Sequence, residues 1–531
     1  MTPRRVTRHA VLVPVAVLAL VALGQCGVAY AMFTDLTSAG PMTFQTATLT
    51  APSGVTFANG CSGGTGQTNV TASWTGPATK DASNGYLVTG MREERSTSAA
   101  GTYSATGTPG GSAPNLTDTD VNPSGAITPN AYVAGGEGSA ATLASVLTST
   151  NALTKLTTGT LGKEPNALAV TPDGTKLIAA EGASHEVQII TTATQAIATV
   201  TLPTVGAASD PVAVAVSPDG TTAWVVDKAN NLLYPITIAT DTLGTGITVG
   251  TQSDPTALLI TPDGTKVYVG DYGAHEVSVV STATKAVTNT ITIGATTGHP
   301  IALAVTPNSA HVYVADQANN DIDDITVSSE TVTSTIAVGS LTDGNVTGAG
   351  DPNILAVTPD GTKLYVASYT GGSVEDITVS SDTLATTIKL SSYTEHRTVA
   401  PEPDALAITP NGCQLYVADY DNRQVDAITV SNDTPTAEPA VGTPADPTGI
   451  AAIPSSADVY VANEGTHTLS EIATSTNTAT TVTLPAGSTA YAVVVDPSPY
   501  YYEFASTHGG WASALSSSSL YGLGWDSGTW Q

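Results

Sequence analysis

Six carboxylates and one histidine stand immediately before a proline at recurring places in the chain: Glu164, Asp210, Asp254, His299, Asp351, Glu402 and Asp446. A second series of acids, Glu181, Asp227, Asp271, Asp316 and Asp419, closes runs such as K-V-Y-V-G-D, and two further copies carry Ser368 and Asn463 there. If a fold gathered such carboxylates about 6 Å apart, each pair would repel by about 3 kcal/mol at an effective dielectric of 20. A ring of that kind raises some carboxyl pKa values or recruits a cation. Its oxygen ligands would suit Ca²⁺. The competing expectation is that Asp-Pro is ordinary turn chemistry and that these side chains are simply solvated.

What must position them is an internal repeat. The stretch T-P-D-G-T-K-L-Y-V-A-S from Thr358 has close relatives from Thr171, Ser217, Thr261, Thr306, Thr409 and Ile453. Each unit opens with a P-x-A-L-A-V run, and successive units start at Pro165, Pro211, Pro255, Pro300, Pro352, Pro403 and Pro447. Spacings of about 44 to 52 residues fall in the range of propeller blades. Val, Ile, Thr and Tyr mark four short strands per unit, and the P-D-G and T-A-T-K turns separate them. No segment keeps a helical period. The expected fold is all-β, a β-propeller of four-stranded blades. Residues 131–162 match the last three strands of a unit and residues 491–497 match a first strand. One composite blade would then join both ends and leave no open sheet edge, giving eight blades. A local first strand at Ile127–Asn130 would instead give seven.

The repeat resembles the YVTN family of β-propeller repeats. The resemblance is carried by P-x-A-L-A-V-T-P-D-G-T-K-L-Y-V-A and by the continuation V-S-V-V-S-T-A-T-K-A-V-T-N-T-I-T-I-G ending at Gly294. It covers roughly residues 125–499 and implies a propeller in a secreted or surface protein, without implying one activity. In such a blade the first strand is innermost. The turn entering it and the turn between strands two and three share a face. Both acid series then fall on one face, as an acidic channel mouth and an acidic face around it. Lys176, Lys266, Lys285 and Lys363 fall on the other.

Composition bounds the partners. The net charge of the chain is -29 and only 11% of its residues are charged. Past residue 130 the only arginines are Arg397 and Arg423, too few to neutralise phosphates, so nucleic acid is excluded as a partner. The expected partner is an unknown protein or cell-envelope component, cationic in character. Residues 1–31 read as an export signal: Arg4, Arg5 and Arg8, an apolar run from Ala10 to Leu23, then Ala29-Tyr30-Ala31. The apolar run is shorter than a membrane span needs, so no span is expected after cleavage; an uncleaved anchor is the alternative. Cleavage leaves Cys61 and Cys413, too few for a disulfide framework.

Residues 32–124 lack the repeat and read as short strands around Trp74, similar to a fibronectin type III β-sandwich. After Asn122-Pro123-Ser124-Gly125 a Y-x-Y-x-V strand pair is expected, but the propeller begins instead, so the module looks incomplete. Residues 500–531 form an aromatic-rich tail with Trp511, Trp525 and Trp530. Packing against the propeller or a frayed end is the expected role, with a stacking surface for sugar or partner as the alternative.

The sequence contains no haem-attachment motif, and its repeat region, residues 125–499, contains no G-x-S-x-G elbow. His185, His275 and His467 occupy equivalent places on different blades, which diverge around a ring and cannot share one metal. Near-uniform blades suit a platform, whereas catalysis needs asymmetry. The expected function is therefore a non-enzymatic, extracellular or cell-surface binding scaffold. The alternatives are a metal-dependent, lactonase-like hydrolase using the channel mouth, for which His299 would be the break in the repeat, and a structural surface-layer component. N-terminal sequencing of the secreted chain should begin at Met32; a retained Met1 would identify an uncleaved anchor instead.

Overall fold

The computed structural model describes most of residues 130–495, apart from short loops and the segments 156–164, 339–351 and 391–402. Outside that range it describes backbone strands only, at Ser53–Cys61, Thr68–Thr75, Met91–Ser96, Ser104–Gly107, Asn115–Asp118, Tyr501–Ser506 and Ala512–Ser516. The proposed export signal lies outside the described residues. Among the described residues no helix is long and apolar enough to cross a membrane.

The repeat folds as eight antiparallel sheets, each a meander in chain order except the first. Blades two to eight occupy residues 167–201, 211–248, 255–292, 300–337, 352–389, 403–437 and 447–483. Blade one is composite. Its outer strands are Asn130–Glu137, Ala140–Leu147 and Ala152–Lys155, and its innermost strand, Ala492–Val495, comes from beyond blade eight. Val493 pairs with Val133 and Val494 with Tyr132. Every first strand touches the first strands of both neighbouring blades, and the series closes on itself. First strands therefore surround the axis, and their residues are largely half-buried. This is the eight-bladed closure expected from residues 131–162 and 491–497.

The second strands show why a ring is required. Lys266–Asp271 and its counterparts bury five consecutive residues, on both strand faces. Side chains alternate between faces, so each blade needs cover on both sides. Apolar clusters accordingly straddle the seams. Tyr234 and Ile236 of blade three join Val187 and Ile189 of blade two. The last two seams close through blade one, with Val133 and Val493 against Tyr460 of blade eight and Tyr132 against Leu177 of blade two.

Buried tyrosines add a polar tie across several seams. Tyr313 donates to Asp382 Oδ1 at 2.9 Å, Tyr365 to Asp433 Oδ1 at 2.7 Å, Tyr416 to Asn477 Oδ1 at 2.6 Å and Tyr460 to Asn151 Oδ1 at 2.8 Å. Each acceptor sits at positive φ in the turn between strands three and four of the next blade, a conformation that Asn and Asp tolerate better than most residues. Tyr268 is the exception: its buried hydroxyl has no partner. Where blades six, seven, eight and one carry Asp or Asn, blade five has Glu330, which pairs with Lys266 at 2.8 Å.

The N-terminal strands form two sheets. Ser53–Cys61, Thr68–Thr75 and Asn115–Asp118 make one. The other runs in the order Ser104–Gly107, Met91–Ser96, Tyr501–Ser506, Ala512–Ser516. The first half of the tail, expected to pack on the propeller, thus adds strands to an N-terminal sheet, with Tyr502 opposite Arg95. Trp511, Trp525 and Trp530 lie outside the described residues. Cys413, in the turn of blade seven, is disulfide-bonded.

Replacing Tyr365 with Phe should lower unfolding free energy by about 1.5–3 kcal/mol, the worth of a hydrogen bond to a charged acceptor. Tyr268→Phe should be neutral or slightly stabilising. Chemical denaturation of both variants reads the difference, and equal losses would show that the tyrosine ties carry no energy.

Candidate functional site

The mouth of the channel is built by the loops that enter the first strands and by the turns between strands two and three. Of the seven residues expected to ring it, Asp210, Asp254, His299 and Asp446 are described; Glu164, Asp351 and Glu402 lie outside the described residues. Three of the four visibly engage the neighbouring blade. Asp254 pairs with Lys228 at 3.3 Å and Asp446 with Arg423 at 2.7 Å, each cation coming from the preceding blade's turn. His299 stacks on Tyr272 at 4.2 Å and lies 5.3 Å from the His275 ring. Asp254 and Asp446 hold φ of 49° and 44°, the left-handed region that Asp tolerates before a strand. Among the described rim residues these contacts fall at separate seams. The basic partners Lys228 and Arg423 were visible in the sequence, but only the fold shows that they fall on the acidic rim.

The second acid series requires a correction. Glu181, Asp227, Asp271, Asp316 and Asp419 were expected on an acidic face; all five are 0% exposed. For Asp227, Asp316 and Asp419 the physical reason is that the carboxylate holds the adjoining loop, while Glu181 and Asp271 accept from Gln188 and Ser278 of the next strand. Asp227 Oδ1 accepts from the Asp210 backbone N–H at 2.9 Å, and Oδ2 accepts from Asn230 Nδ2 at 2.9 Å. Asp316 repeats this with the His299 N–H at 2.8 Å and Asn319 Nδ2 at 2.6 Å. Asp419 accepts from Asn422 Nδ2 at 2.7 Å. Hydrogen bonds from backbone N–H groups allow an ionised carboxylate to be buried. The signal that could have revealed this is D-x-x-N, present at Asp227, Asp316 and Asp419.

Below the rim the wall is apolar. Among the described first strands, Asp404 is the one ionisable residue. Polar residues one step inside the rim serve the seams: Asn166 donates to Pro211 O at 3.0 Å, Asn353 to Pro403 O at 3.2 Å and Thr448 to Ala490 O at 3.3 Å. His185 and His275 are loop residues at positive φ. His275 Nδ1 lies 2.6 Å from Gly298 O, and His185 makes the equivalent contact with Ser209 O. On the opposite face Lys363 is clamped by Asp433 at 2.7 Å and Asp376 at 3.0 Å. Burial opposes its charge, but the two carboxylates hold its ammonium above the usual lysine range. The expected basic face is thus partly sequestered.

Residues 266–490 match the family model described as Lactonase, 7-bladed beta-propeller, over less than half of the chain. No curated protein matches. Among solved structures, Kuenenia stuttgartiensis hydrazine synthase is similar at 18% identity and a TM-score of 0.45, covering 58% of this chain and 95% of that one. A functionally unknown protein from Desulfotomaculum acetoxidans DSM 771 is similar at 17% identity and a TM-score of 0.44, covering 59% and 95%. The family match and the eight closed sheets together make this chain a β-propeller protein.

Asp227→Ala strips a buried acceptor from two donors and should cost ~3 kcal/mol. Asp254→Ala breaks a partly exposed ion pair and should cost under ~1 kcal/mol. Thermal unfolding of the two variants distinguishes loop-holding acids from rim acids; equal effects would contradict the assignment.

Proposed function

We propose that the protein is a non-enzymatic binding scaffold exported to the cell surface or medium, presenting a rigid propeller to a partner. The observation that carries this reading is the channel wall. A hydrolytic site needs several ionisable or ligating groups converging on one reacting atom. The described first strands supply only Asp404, and two of the described rim acids, Asp254 and Asp446, are paired with cations of the preceding blade. The disulfide at Cys413 supports an oxidising compartment. The net charge of -29 supports a cationic partner in the cell envelope.

The N-terminal pairing supports a fibronectin type III-like spacer. Its first five strands precede the propeller and its last two follow it. Tyr500-x-Tyr502-x-Phe504 supplies the aromatic strand that the sequence lacks after Gly125. The propeller would then be an insertion carried within the module, attached by two chain crossings. That arrangement suits a display platform, because two linkers restrict rotation more than one.

The match to the lactonase family model favours a second reading, a lactone hydrolase. A surface-layer role shades into the scaffold and would show as ordered self-assembly of the purified chain. The deciding assay is hydrolysis of a panel of lactones by the mature protein, with Asp404→Asn in parallel. The scaffold reading predicts no turnover above the uncatalysed rate and retention on a cell-envelope preparation that weakens with salt. Turnover abolished by Asp404→Asn would establish the hydrolase.

A further inference from the structure

One position set differs between blades in a way that the scaffold does not require. The last residue of strand two and the first and third residues of strand three share one corner of each blade. Register places the first two opposite each other, as Asp316 opposite Asp321 in blade five. The third lies on the same strand face as the second, two residues along.

In the other blades this corner includes a side chain without charge. Gln188 donates to Glu181 in blade two, and Ser278 donates to Asp271 at 2.6 Å in blade four. Ser368 and Ser373 both donate to Glu375 in blade six. Blade three has Leu232 and Tyr234 beside Asp227, blade seven has Gln424 between Asp419 and Asp426, and blade eight has Asn463, Thr468 and Ser470.

Blade five alone among these has three carboxylates: Asp316, Asp321 and Asp323. Each offers an oxygen, and the three oxygens lie within 4.8 Å of one another. Asp323 is only 3% exposed; Thr335 donates to its Oδ1 at 2.5 Å, while its Oδ2 is buried without a hydrogen-bond partner. Asp321 Oδ1 is likewise buried and unpartnered. Among the described residues no Lys, Arg or His pairs with any of the three. Gly294 and Gly298 bring the preceding loop so close that an added Cβ would meet Asp316 Oδ2 at 2.5 and 2.7 Å. The absent charge balance is reflected in Asp321, whose carboxyl is pushed up to about 7 by burial and by the charges of Asp323 and Asp316.

We propose that blade five binds a Ca²⁺-class divalent cation between Asp316, Asp321 and Asp323. Three hard oxygen donors suit Ca²⁺ over zinc, which prefers nitrogen and sulfur. Ca²⁺ to oxygen distances of about 2.3–2.6 Å span oxygen pairs up to about 5 Å apart, whereas those of Mg²⁺ span only about 4 Å. The cation would sit inside a blade, away from the channel, and lock the rim loop that carries His299.

The test is thermal unfolding of the mature full-length chain in chelator, in CaCl₂ and in MgCl₂, with calorimetric titration of CaCl₂ for stoichiometry. Expected are a rise of several degrees with Ca²⁺, one ion per chain, and a smaller rise with Mg²⁺. Asp323→Asn should abolish the Ca²⁺ shift and melt higher than the parent in chelator; Asp254→Asn should keep the shift. Asp321→Asn serves in its place if Asp323→Asn does not fold. No shift, a shift retained in both blade-five variants, or an equal response to Mg²⁺ would overturn the proposal.

Discussion

The structure depends on the burial of both faces of every second strand. A strand with five consecutive buried residues cannot face water on either side, so no blade is stable by itself and no open row of blades has two satisfied ends. Closure through the composite first blade resolves this. Ala492–Val495 supplies the innermost strand to a sheet whose other strands lie more than three hundred residues earlier. The tyrosine ties across four seams are subsidiary, since the blade-four to blade-five seam holds together with its Tyr268 hydroxyl unpartnered.

From that constraint follows the character of the mouth. Loops must be held where the blades meet, and Asp227, Asp316 and Asp419 hold the loops of their own blades from inside. Asp254 and Asp446 tie neighbouring blades from outside, through Lys228 and Arg423. Much of the described charge at the mouth therefore holds loops or seams. The described first strands below the rim are mostly Ala, Leu, Val and Ile, with Asp404 the one ionisable residue among them.

Much of the fold was legible in the sequence because repetition reports it directly. The composite blade could be read because A-Y-V-A-G-G-E from Ala131 is a second strand without a full first strand, and Y-A-V-V-V-D-P from Tyr491 is a first strand without a second. Side-chain direction was not legible. Asp227 and Asp254 occur at equally regular places, yet one is wholly buried and the other half-exposed. Position in a repeat does not say whether a carboxylate turns toward a loop's N–H groups or toward water. The blade-five acids were visible as Asp321-Ile322-Asp323-Asp324, but only the register separates Asp323, facing Asp316, from Asp324, which pairs with His311 at 2.9 Å. The pairing of Tyr501–Ser506 with Met91–Ser96 joins segments some four hundred residues apart, beyond what any local pattern can reveal.

The central claim is that residues 492–495 are an integral strand of the ring and not an accessory to it. Amide hydrogen exchange on the intact chain tests this most directly. Closure predicts that amides of Ala492–Val495 exchange as slowly as those of Asp458–Asn463, through global unfolding alone. Fast exchange at 492–495 with the second strands still protected would contradict it, because the ring would then be stable while open.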